Sequence, residues 1–275
     1  MGSMNDLFQV TGCSIVGSDH RFTWDRNRQD ACGFGVGKSV AIGVVCDGCG
    51  EAENSEIGAQ MGARILLHAV HHHSRMIRDF SPEIVEEFLE LVRGTLLRKI
   101  RLIVSTMGGK DVEVLAQYFL FTALGFVVTK NGALVFGCGD GVYAINGETT
   151  ILTSLKNHPA YIAYGINPQV FRWPEEPKFT AYHVVSCEEV ENIIIGSDGL
   201  ARFVAAELAT VRETGEGVGP LSQFATQDRY FQNPDMIRRK LETIGDGTLV
   251  FPDGRTRREW LNDDTTMVSV RRINK

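Results

Sequence analysis

The 275 residues allow one large domain or two small ones, and either could bury a substantial core. Hydrophobic residues make up 43% and charged residues 23%, the balance of a soluble globular protein. A formal net charge of −6 argues against nucleic acid or an anionic membrane as the main partner, and no apolar run approaches the roughly 20 residues that span a bilayer. The opening MGSM reads as a leader before a native Met4. Residues 1–7 are therefore set apart from a single domain over 8–272, with no signal peptide, no internal repeat and no linker. Six scattered cysteines form no disulfide framework, which fits a reducing, cytoplasmic setting, and the chain reads as a monomer.

Strands are predicted first. Phe8–Gly17 and Ser39–Cys46 are rich in Val, Ile and Phe and bounded by glycines. A helix follows from about Ser55, with Ile57, Met61, Ile65 and Ala69 at four-residue spacing. A second opens at Ser81-Pro82, an N-cap with proline at the first helical position, and carries Val85, Phe88, Leu89, Val92, Leu96 and Ile100 on one stripe. The period then changes to that of strands at Tyr118–Thr129, Ala133–Cys138, Val142–Ile145 and Thr149–Thr153, with Asn131-Gly132 and Asn146-Gly147 as hairpin signals. Further strands are predicted at Thr180–Val185, Asn192–Gly196 and Thr266–Arg271, and helices near Ala201–Val211 and Pro234–Ile244. Segments Pro159–Lys178 and Gly215–Asn233 read as surface excursions near a site. The order of elements points to a layered α+β fold rather than alternating βαβ units.

Five carboxylate positions share one arrangement. Asp47 in GVVCDGCG, Asp140 in LVFGCGDG and Asp198 in IIIGSDGL each follow a buried strand and sit among glycines; Asp30 in RQDACGFG and the Asp263-Asp264 pair in NDDTTMVSV each precede one. One such residue is ordinarily a turn aspartate. Five together would repel one another unless hard cations neutralised them, and magnesium and manganese prefer oxygen ligands. The residues thus point to two ions roughly 3.5–4 Å apart that activate a water for attack on a phosphorus or carbonyl centre.

The same motifs, in the same order, resemble the metal-dependent serine/threonine phosphatases of the 2C type, especially the bacterial members. RNRQDA (Arg26–Ala31), VVCDGCG (Val44–Gly50), FGCGDGVYAI (Phe136–Ile145), IIIGSDGL (Ile193–Leu200) and DDTTMVSV (Asp263–Val270) carry that resemblance across nearly the whole chain. It implies a four-layer αββα sandwich, two antiparallel sheets flanked by helices, with a metal cleft at one edge. It implies two divalent cations, Mn or Mg, and room for a third, weaker one. Asp47 would bridge the two ions with help from the Gly48 carbonyl, Asp198 and Asp263 would hold one of them, Asp30 would act through waters, and Asp140 would match the third-ion position. The substrate class implied is phosphoserine or phosphothreonine in a phosphorylated protein. Arg26, or else Arg21, would hold the phosphate, because Asp25 occupies the usual offset. Cys49 stands where some relatives have a histidine, which leaves the leaving oxygen to be protonated by water; Gln29 replaces an acidic neighbour, and Gly141-Val142 replace the usual Ser-Arg. GSDHRF (Gly17–Phe22) resembles an opening seen in a bacterial subgroup and gives His20 a local role. The alternative function is a catalytically weak or inactive phosphatase-like domain that binds a phosphorylated partner in signalling.

Other chemistry-bearing residues read as structural. Cys46 and Cys49 form a CxxC without a second pair at zinc-ligand spacing. His71-His72-His73 point about 100° apart around a helix and suit its last turn. His158 reads as a polar loop residue, Trp173 as packing for its excursion, and Arg238, Arg239 and Lys240 as a solvated face.

Overall fold

Both Asn-Gly signals sit in tight hairpins. Thr129 pairs with Gly132 across one, and Ile145 pairs with Glu148 across the other. In the second, Asn146 and Gly147 have φ of 52° and 92°, the left-handed pair that a two-residue turn of matching twist requires. The structure, a computed structural model, describes residues 3–24, 27–154, 159–171, 176–233 and 235–273.

In chain order, a short helix α1 (Met4–Leu7) leads into strand β1 (Phe8–Ile15) and a π-helical turn at Asp19–Trp24. Strands β2 (Asp30–Val36) and β3 (Val40–Gly48) precede three helices, α2 (Ser55–His73), α3 (Pro82–Met107) and α4 (Asp111–Tyr118). A meander follows: β4 (Phe121–Thr129), β5 (Gly132–Cys138), β6 (Gly141–Ile145) and β7 (Glu148–Leu152). Next come a 3-10 turn (Ile162–Ile166), α5 (Pro168–Phe171), β8 (Thr180–Val185), β9 (Asn192–Gly196) and α6 (Gly199–Ala205). The last part holds β10 (Thr210–Val211), α7 (Gln223–Thr226), α8 (Arg229–Gln232), α9 (Asp235–Asp246), β11 (Thr248–Val250), β12 (Thr256–Arg258) and β13 (Thr265–Arg272).

Two five-stranded antiparallel sheets, ordered β1-β13-β9-β6-β7 and β2-β3-β4-β5-β8, lie face to face, and β10-β11-β12 form a small third sheet. Strand alternation builds the layers. In β3, Ile42, Val44 and Cys46 face α2 and α3, while Ala41 and Val45 face the opposite sheet. In β9, Ile193 and Ile195 meet that central layer and Ile194 turns to α6 and α7. Three cores result: helices on sheet, sheet on sheet, and sheet on helices. This is the α+β four-layer αββα sandwich expected. Each fully buried large apolar side chain, such as Phe126 or Ile195, contributes about 1.5–3 kcal/mol.

The packed body reaches back to Met4, which is only 2% exposed. Three local expectations differ. The helix read at Ala201–Val211 ends at Ala205, and β-branched Thr210 and Val211 pair as a strand instead. Tyr118 closes α4 rather than opening β4; that helix is short and buries only Val114 and Leu115, so its period was hidden. Gly215–Asn233 supplies Val218, Leu221, Phe224 and Tyr230 to the core outside the first sheet, and none of its residues lines the cleft described below. Lys240 is also no solvated residue: its side chain is 6% exposed and its Nζ donates to Glu216 and to the Gly217 carbonyl. No described helix is long and apolar enough to cross a membrane.

Candidate functional site

Antiparallel order explains why distant aspartates meet. Asp30 begins β2 and Asp47 lies near the end of β3, and register places the two directly opposite. Asp198 follows β9 and Asp263 precedes β13, neighbouring strands in which Gly196 pairs with Met267. Asp140 sits where the chain leaves β5 of one sheet for β6 of the other, between Gly139 and Gly141 at φ of 104° and 145°. All five line one cleft of about 740 Å³ at the edge of the two sheets, with His20, Gln29, Cys49, Glu51, Tyr161 and Tyr164 among the other lining residues.

The carboxyl groups crowd one another. Asp47 has Asp30 and Asp198 as its carboxyl neighbours. Burial first, then Asp30, Asp198 and Asp263, holds Asp47 well above the usual carboxylate range. Burial, with Asp264 next, pushes Asp30 to about 8. Asp198 is exposed on one side, yet its protein surroundings and then the charges of Asp263 and Asp140 lift it to about 6. Asp263 is raised as well, chiefly by desolvation. These are directions that a cation would reverse.

Fit to hard cations rests on the donors. No three His, Cys, Asp or Glu side chains among the described residues already surround one point as metal ligands. The carboxyl groups instead crowd one another, and Asp30 Oδ2 is buried without a hydrogen-bond partner. An all-oxygen set of carboxyl groups is the donor chemistry that hard cations such as magnesium, manganese or calcium prefer. Gly48 belongs to the same design: a Cβ there would sit 2.7 Å from the Gln29 carbonyl and 2.8 Å from Ser55 Oγ.

A network fixes the backbone around the acids. Gln29 Nε2 donates to Ser55 Oγ at 2.6 Å, and Ser55 Oγ donates to the Cys49 carbonyl at 2.9 Å, which ties the Asp47-Gly48-Cys49 turn to the start of α2. Asp264 is 2% exposed and accepts from the Gly17 and Gln29 backbone N–H groups, with His20 Nδ1 2.9 Å from its carboxylate. It thereby joins the start of β13 to both ends of the segment before β2. The adjacent Asp263, with its side chain 52% exposed, turns to the cleft. Both residues of the doublet line the cleft, Asp264 with its carboxylate held by backbone N–H groups and Asp263 with its side chain half exposed. His20 has its place in this lock, 4.0 Å from Asp263, and its pKa is raised mainly by its hydrogen bond to Asp264.

Among the described residues no arginine or lysine lines the cleft. Arg21 pairs with Asp246 of α9 at 3.1 Å, and Arg28 donates to the backbone carbonyls of Ser14 and Asp30. Arg26, His158 and Trp173 lie outside the described residues. Cys46 is buried and Cys49 reaches the cleft, both as free thiols. Sequence reasoning did not find Ser55, Tyr161 or Tyr164; the tyrosines carried no signal beyond lying in a segment predicted to flank the site.

Comparison with known proteins adds the following. The family described as Protein phosphatase 2C matches residues 16–237. A solved bacterial serine phosphatase bearing a single point mutation is similar at 13% identity and TM-score 0.55, over 97% of this chain and 99% of that one. The S. agalactiae serine/threonine phosphatase is similar at 14% identity and TM-score 0.52, over 96% and 99%. The Mycobacterium tuberculosis serine/threonine phosphatase PstP/Ppp is similar at 14% identity and TM-score 0.51, over 96% and 98%. At these identities the likeness is one of fold. A sequence search among curated proteins finds no match.

Proposed function

Because the chain belongs to the protein phosphatase 2C family, we propose that it hydrolyses phosphoserine and phosphothreonine in proteins at the carboxylate cleft. Mn or Mg ions are its proposed cofactors. The observation that carries this reading is the convergence of Asp30, Asp47, Asp140, Asp198 and Asp263, drawn from separate segments, on one cleft of that family's fold. Asp47 and the Gly48 carbonyl would hold two cations, Asp198 and Asp263 would complete the site of one, and Asp140 would serve a third. When bound, such ions let water act as a nucleophile near neutral pH and offset charge on the phosphoryl oxygens.

The chain's own residues do the rest. Asp30, opposite Asp47 in register, holds that carboxyl in place from a buried position. The Gln29–Ser55 network and Asp264 keep the backbone at both ends of β2 and β3 from shifting. Arg26 would grip the phosphate oxygens as a planar fork. With a thiol at Cys49 in place of an imidazole, water supplies the proton to the leaving serine or threonine oxygen.

Purified protein with Mn is expected to release phosphate from p-nitrophenyl phosphate and from a phosphopeptide, and to lose this activity in EDTA and in Asp47→Asn and Asp198→Asn, each by roughly a hundredfold or more. EDTA-insensitive turnover would refute the reading. Phosphopeptide binding with no phosphate release would select the alternative, a domain that recognises a phosphorylated partner without hydrolysing it; the absence of any described arginine from the cleft is the observation in its favour.

A further inference from the structure

One wall of the cleft is not acidic floor. The 3-10 turn at Ile162–Ile166 presents Tyr161 and Tyr164 to the cavity, beside Pro159, and Glu51 lines the same corner from the turn after β3. The two rings meet edge to face with centroids 5.4 Å apart, and Tyr164 leans on Phe171 at 4.8 Å.

This wall is braced rather than loose. Ile162 and Ala163 are fully buried against the core under α3. Arg93 of α3, 5% exposed, donates from Nε to the Pro177 carbonyl at 2.8 Å and pairs with Glu176 just beyond. A Cβ at Gly165 would lie 2.8 Å from the Arg93 guanidinium, so the turn is seated on that side chain. Ordered aromatic rings with a carboxylate beside them are what a guanidinium or ammonium group seeks. The ring quadrupole attracts the charge, and the carboxylate completes a hydrogen bond. A cleft of about 740 Å³ has room for a phosphorylated side chain and one neighbour.

We propose that the corner formed by Tyr161, Tyr164 and Glu51 binds an arginine side chain flanking the phosphorylated residue, so that the preferred substrates are phosphopeptides with a basic neighbour. The assignment rests on the phosphoprotein substrate proposed above, and its test is a binding ratio that does not require turnover. Calorimetry on the full chain with Mn would compare non-hydrolysable phosphoserine-analogue peptides that carry arginine, or norleucine, at each of the two positions on either side.

At one of those positions arginine is expected to bind about fivefold more tightly than norleucine, the scale of an aromatic–cation contact. Glu51→Gln, at an exposed position where folding is not at stake, and Tyr164→Leu should each cut that ratio to below about twofold. Equal binding of the arginine and norleucine peptides at every position, or a preference that both variants keep, would overturn the proposal. Phosphate release from the hydrolysable peptides is read separately: its absence would refute the phosphatase reading, while the binding ratio alone decides the corner.

Discussion

Asp30→Asn should stabilise the cation-free protein at neutral pH, although it removes a conspicuous acidic side chain. Asp30 is 1% exposed, faces Asp47 in register and is pushed to about 8, first by burial and then by Asp264. In the unfolded chain the same group titrates near about 3.9. Its folded pKa is therefore raised. Between these two values the folded protein binds more protons than the unfolded one, so stability falls as pH rises through that window. From pH 4 to pH 7 the loss is on the order of 2–4 kcal/mol at about 1.4 kcal/mol per unit of pH. Asparagine keeps the shape and an acceptor for the Ser197 and Thr266 hydroxyls but has no charge to suppress. Calorimetric melting in EDTA should show the variant about 4–16 °C more stable than the parent at pH 7, and nearly equal to it at pH 4. Equal shifts at both pH values, or a variant less stable than the parent at pH 7, would refute the reasoning. Mn should then reverse the order, because it stabilises the parent more than a variant with weakened cation binding.

Gly58→Ala should destabilise strongly, since its Cβ would overlap the Tyr118 carbonyl oxygen where α2 crosses the end of α4; urea unfolding should show a loss of about 3 kcal/mol or more. Arg93→Ala leaves the Pro177 carbonyl and Glu176 without their buried donor and should cost about 1–3 kcal/mol in the same assay. Through the tyrosine wall it should also raise KM for phosphopeptides more than for p-nitrophenyl phosphate. A KM rise equal for both substrates would show that the wall does not depend on the Arg93 brace.

The layered fold was legible because the central strands β3, β4, β5 and β9 are nearly unbroken apolar runs, and because the Ser81-Pro82 start and both Asn-Gly hairpins are local codes that tertiary packing had no reason to override. Helix α4 and the β11-β12 pair were not, since elements of eight and three residues are too short to show a period. The site followed a different logic. Each aspartate stood out by its place at a strand end, and antiparallel topology carried all of them to the same edge. Telling Asp263 from Asp264, by contrast, depends on which of two adjacent side chains is held by the backbone N–H groups of Gly17 and Gln29. Tyr161 and Tyr164 could not be read at all, because a tyrosine in a loop looks the same in sequence whether it packs or lines a wall. Lys240 was misread for the opposite reason: a helical lysine beside two arginines looks solvated until Glu216 is brought onto it.

Anomalous diffraction from crystals soaked in Mn would locate the cations outright. The account predicts peaks among Asp47, Asp198 and Asp263, with Gly48 alongside, and their disappearance in Asp47→Asn. Millimolar Mn that leaves this cleft without a peak, or that gathers at other carboxylates on the surface, would contradict it.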